Sequence, residues 1–115
     1  MKIEIRKSGA GVIITFDTLA ERFDSDYERN KFFRELHGWN QVVPSGGKRY
    51  EYRRRGLLDD VPHIRVANSA FIVAIENMKR MEAFFNEWHD KVHCEMMKIV
   101  MEDKMIRQLR AQERP

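Results

Sequence analysis

Val12-Ile13-Ile14-Thr15-Phe16 is an almost continuous β-branched run. Side chains alternate across a strand, so a run with both of its faces apolar reads as a central strand covered on both sides. Asp17 closes it, at the carboxyl end where loops gather functional groups. Upstream, Ser8-Gly9-Ala10-Gly11 breaks the pattern, and Lys2 to Arg6 alternates charge with isoleucine as an extra N-terminal strand.

Downstream, Ser25-Asp26-Tyr27-Glu28 has the form of a capping box and predicts a helix that Gly38 terminates, with Phe32, Phe33 and Leu36 on its apolar face. Pro44-Ser45-Gly46-Gly47 reads as a loop. Arg49 to Arg54 then alternates as a strand, with Tyr50 and Tyr52 on one face and Arg49, Glu51 and Arg53 on the other. Ile64 to Ala74 reads as a longer, more buried strand, and the turn residues Gly56 to Pro62 join the two as a β-hairpin. Met78, Met81, Phe85, Trp88 and Val92 recur at helical spacing and predict a second helix with one apolar stripe.

Beyond it two readings compete. His93 to Met101 suits a last strand followed by a terminal helix or frayed tail over 104–115, and Met97, Met101, Met105 and Leu109 at i+4 steps suit a single helix; the former is favoured. Strand, helix, strand, strand, helix, strand is a ferredoxin-like α+β order. It predicts an antiparallel sheet with helices on one face, elaborated by the N-terminal strand and the C-terminal helix.

A chain of 115 residues fits a single domain, 1–115, and its 43 % apolar and 34 % charged residues describe a globular protein. The charge of +3 is unevenly placed. Residues 39–75 hold six Lys/Arg against three Asp/Glu, whereas the flanking segments are balanced. Cys94 is the sole cysteine, which excludes a disulfide-stapled scaffold. No signal-peptide pattern opens the chain and no run suits a membrane span, so a cytoplasmic protein is expected.

The basic excess concentrates in Lys48-Arg49-Tyr50-Glu51-Tyr52-Arg53-Arg54-Arg55. Cations neutralise phosphates and tyrosine rings stack on bases, so Lys48, Arg49, Tyr50, Tyr52, Arg53, Arg54 and Arg55 are the candidate nucleic-acid-binding residues. The competing explanation is an edge strand whose charges block aggregation. Asp17 is a candidate Mg²⁺ ligand and catalytic carboxylate, or a turn-initiating residue. Asp59-Asp60 similarly reads as a cation site or as turn chemistry. His89-Asp90-Lys91-Val92-His93 resembles a zinc-protease pattern, but an aspartate replaces the glutamate base and no third ligand is evident. Two solvated histidines at a helix C-terminus explain it better. No phosphate loop, dinucleotide fingerprint or nucleophile elbow is present.

Ile13-Ile14-Thr15-Phe16-Asp17, Arg29-Asn30-Lys31-Phe32 with Leu36 and Gly38, and Asn68-Ser69-Ala70-Phe71-Ile72-Val73 together resemble the small CRISPR-adaptation subunit and the VapD-type endoribonucleases. The resemblance implies a ferredoxin-like homodimer on nucleic acid, with Asp17 holding Mg²⁺ for phosphodiester hydrolysis. Three functions are therefore weighed. The first is a homodimeric nucleic-acid-binding protein using residues 48–55 and no cofactor. The second is a Mg²⁺-dependent nuclease using Asp17. The third is a non-catalytic interaction or regulatory module that binds a protein partner through its methionine-rich stripe and terminal segment.

Overall fold

The computed structural model describes residues 9–113, so the strand expected over Lys2–Arg6 lies outside the described residues. In chain order the elements are β1 (Ala10–Thr18), α1 (Asp26–His37), β2 (Trp39–Ser45), β3 (Lys48–Arg54), α2 (Leu57–Asp60), β4 (Ile64–Ala67), β5 (Ala70–Ala74), α3 (Met78–Glu87), β6 (Val92–Val100) and α4 (Asp103–Gln112). The fold is α+β. Two compact units divide the chain: the residues up to Arg22 together with those from Pro62 onward, and Phe23–Val61.

The first unit is built on a four-stranded antiparallel sheet in the order β4-β5-β1-β6. The run from Val12 to Phe16 is central, as its composition requires. Val12, Ile14 and Phe16 are buried on one face, in register with Val73 and Phe71 of β5. Phe16 meets the Phe85 ring of α3 at 5.6 Å and the Phe71 ring at 6.4 Å. Met81, Phe85, Trp88 and Val92 are also buried, and each side chain of this size contributes about 2 kcal/mol when fully withdrawn from water.

The opposite face is covered in part. Ile72, Met101 and Leu109 form a buried cluster against Ile13, Ile64, Ile99, Met105 and Ile106, which places α4 over that end of the sheet. Gly11 makes room for it, because a Cβ there would stand 2.7 Å from the Met101 side chain. Gln112 closes the helix by donating to the His63 carbonyl (2.7 Å) and accepting from the His63 N–H (2.9 Å). Thr15 and Asp17 remain exposed on this face. Coverage of β1 on both sides is therefore confined to the Ile13 end.

Two expectations are corrected here. The stripe read as one helix through Val92 ends at Trp88; the chain turns through His89–Lys91, and Val92 enters the core from β6, its N–H bonded to the Trp88 carbonyl (2.8 Å). A buried residue four positions on continues a helical period whether the backbone stays helical or turns. After Val92 a nine-residue strand and then α4 follow, in agreement with the favoured order.

The second correction concerns β3. It pairs with Trp39–Ser45 rather than with Ile64–Ala74, which is itself a hairpin of β4 and β5. Gly46 and Gly47 take φ of 59° and 78°. Positive φ at both central residues is the two-residue turn whose twist matches antiparallel strands, and glycine adopts it without cost from a Cβ.

The 23–61 unit begins at the predicted cap. Ser25 Oγ accepts from the Glu28 N–H (3.2 Å), and Glu28 reaches back to the Asp24 N–H (3.0 Å). Phe32 and Leu36 of α1 are buried, as are Leu58 and Val61. Gly38 ends α1 at φ 74° and ψ 178°, a conformation that only glycine adopts readily. No helix among the described residues is long and apolar enough to cross a membrane.

Candidate nucleic-acid interface

Directly opposed residues of an antiparallel pair share a face, so the register of β2 with β3 sorts the basic stretch. Trp39 opposes Arg54, Gln41 opposes Tyr52, Val43 opposes Tyr50, and Ser45 opposes Lys48. One face thus carries Trp39, Tyr52, Tyr50 and Val43 with Lys48 and Arg54. The other carries Arg49, Glu51 and Arg53 opposite Pro44, Val42 and Asn40. All seven residues of β3 are exposed, and Tyr50 and Tyr52 retain 46 % and 48 % of their accessible surface.

The cations divide by what they hold. Arg53 Nη2 donates to both oxygens of Asp59 (2.8 and 2.7 Å) and to the His37 carbonyl at the end of α1 (2.8 Å). Asp59 in turn accepts from the Gly56 N–H (2.8 Å), which ties β3, α1 and α2 together. Burial alone would raise the Asp59 carboxyl; the hydrogen bonds from Arg53 and the Gly56 N–H outweigh it and hold the group below its usual range. Around this knot the backbones nearly touch. A Cβ on Gly56 would overlap the Gly38 amide nitrogen and lie 2.6 Å from the His37 carbonyl carbon.

Arg55 donates twice to Asp60 (2.9 and 2.6 Å) and once to the Asp59 carbonyl (3.1 Å). Asp59 and Asp60 are therefore arginine partners on a short helix, not turn residues of a hairpin. Arg54 donates to Gln41 (2.7 Å), with its guanidinium 5.8 Å from the Tyr52 ring. Lys48 and Arg49, beside the Gly46-Gly47 turn, make no hydrogen bond or ion pair among the described residues.

One feature escaped the sequence reading. Tyr27, Lys31, Arg34 and Glu35 on α1, with Trp39 and Arg55, line a groove of about 290 Å³. Tyr27, Lys31 and Arg34 stand at i, i+4 and i+7, so they share a helix face. Arg34 lies over the Trp39 ring at 4.1 Å. The spacing was visible in the sequence, but the arrival of Trp39 beside it was not.

Asp17 lies exposed on the sheet, opposite His93 of β6. His89 and His93 do not share a helix face: His89 sits in the turn after α3 with Nδ1 2.8 Å from the Asn86 carbonyl, and His93 contacts Glu95 at 3.4 Å. Both line a cavity of about 450 Å³ with Glu82 and Cys94. Burial, with Glu95 nearby, pushes the Cys94 thiol up to about 11, so it is protonated at neutral pH and a poor nucleophile. No three His, Cys, Asp or Glu side chains gather where they could hold a metal ion, among the described residues. No family model matches the chain, and neither does any curated protein or solved structure.

Proposed function

We propose that this protein binds nucleic acid along the hairpin, with bases on Tyr50 and Tyr52 and phosphates on Lys48 and Arg49. The observation that carries the reading is the half-exposure of Tyr50 and Tyr52 on one face of β3, with Lys48 on that face and Arg49 beside it at the turn, neither making a hydrogen bond or ion pair among the described residues. Aromatic faces left open at two-residue intervals suit stacking, which is worth about 1–3 kcal/mol per base and is tolerant of sequence. Arg54 adds positive charge beside Tyr52. Arg53 and Arg55 act chiefly by holding the strand in place through Asp59 and Asp60.

The strand order β4-β5-β1-β6 supports a ferredoxin-like arrangement in which residues 19–63, including the hairpin, form the first crossover. The same reading uses two copies of the chain. Among the described residues β6 is a nine-residue strand at the end of the sheet with Met97 and Val100 exposed, and an edge of that kind is masked by pairing with a second strand.

The test is fluorescence anisotropy of labelled single-stranded and duplex DNA and RNA, titrated from ~50 to ~200 mM salt, where phosphate contacts weaken binding log-linearly. Affinity that falls with salt and favours unpaired strands is expected. Absence of binding at the lowest salt would sink the proposal, and an added EDTA arm reads whether Mg²⁺ takes part.

A further inference from the structure

The groove on α1 brings cations and aromatic rings together in one concave wall. Lys31 and Arg34 have no carboxylate partner among the described residues, and Arg55 adds a third cation whose charge Asp60 already offsets. The Arg34 guanidinium carbon lies over the Trp39 ring at 4.1 Å from its centroid, and Arg34 is exposed, so its guanidinium also meets solvent, where a planar group can approach it. Tyr27 supplies a further aromatic ring, 75 % exposed. Glu35 lies in the same wall, and its carboxylate disfavours a bare anion.

Aromatic rings beside two cations that have no carboxylate partner among the described residues match a base and a phosphate. We infer that this groove is a subsite for a single nucleotide unit, with the base against Arg34 and Tyr27 and the phosphate on Lys31. A volume of about 290 Å³ is at the small end of ligand pockets, which suits one nucleotide and excludes a duplex. Trp39 also belongs to the hairpin face that carries Tyr52 and Tyr50. A strand lying along the tyrosines therefore has the groove as its continuation. The inference rests on the nucleic-acid reading for that continuity, while binding of a free nucleotide tests the groove by itself.

The experiment is titration of the full chain with AMP, followed by tryptophan fluorescence. Trp39 lines the groove and Trp88 is buried, so the response reports chiefly on Trp39. Saturable quenching by AMP is expected, with none from inorganic phosphate. Lys31→Glu, on an exposed helix position, weakens AMP at least about tenfold, the effect of losing one charge-assisted hydrogen bond. Arg34→Lys, which keeps the charge and loses the plane, weakens it as well.

Tyr50→Ala/Tyr52→Ala leaves the AMP response unchanged. No saturable response, an equal response to phosphate alone, or full retention in Lys31→Glu would overturn the subsite. Oligonucleotide binding that survives while AMP fails removes the groove alone. AMP binding that survives while oligonucleotides fail removes the hairpin reading and leaves a free-nucleotide site.

Discussion

Lys48 and Arg49 stand beside the Gly46-Gly47 turn, and Arg53 and Arg55 stand at the other end of the same basic stretch, facing Asp59 and Asp60. All four are cationic in sequence, yet they do different work. The tip cations make no hydrogen bond or ion pair among the described residues, so a phosphate meets no competing carboxylate there. At the base, each guanidinium holds a carboxylate, and a phosphate would have to compete with it. Formal charge along a strand therefore overstates what a ligand meets; the distance to the nearest carboxylate decides which cations are available.

The largest effect expected from breaking this contrast is at Gly56. A Gly56→Ala side chain overlaps the Gly38 backbone, so urea unfolding should show a loss of about 3 kcal/mol. A smaller loss would mean that the two backbones part easily and that the knot does not fix the base of the hairpin. Next in size is the tyrosine pair. Tyr50→Ala/Tyr52→Ala should cost about 2 kcal/mol or more in oligonucleotide binding while leaving stability within about 0.5 kcal/mol, since both residues are half exposed.

Asp59→Asn should cost about 1–2 kcal/mol of stability at neutral pH by weakening the charge-assisted bonds to Arg53. Its pH dependence follows from the lowered carboxyl. The stabilisation is fully present above the unfolded value of about 3.9 and is lost as pH falls through the lower folded value, so the difference between wild type and variant should vanish in acid. A difference that persists at low pH would show that the charge is not what matters. The smallest effect sharpens the comparison from the tip. Lys48→Ala and Arg49→Ala should each reduce the slope of log affinity against log salt by about one, and Arg53→Ala by clearly less.

Much of the local structure was legible. Ser25 and Glu28 marked the start of α1 because capping is a contact within four residues, and Gly38 marked its end because few other residues tolerate its backbone conformation. The run from Val12 to Phe16 announced a central strand, since a segment with so little polarity needs cover on each side. Residues 49–54 were readable as a strand and their tyrosines as one face. The partner strand was not. Gly46-Gly47 is a two-residue hairpin signal, but Pro44 and Ser45 beside it read as loop, and alternation along one strand says nothing about which other strand completes its hydrogen bonds.

What the sequence determined by itself was therefore short-range: caps, turns, the periods of strands and helices, and the place where positive charge collects. These depend on contacts between neighbours in the chain. Tertiary structure alone decided that Arg53 and Arg55 meet Asp59 and Asp60, that Trp39 comes under Arg34, and that His89 and His93 part company at a turn. Several of these partners are close in sequence, but their meeting depends on the direction of each side chain once β3, α1 and α2 are packed. Direction is fixed by packing, and packing is settled by the whole chain at once.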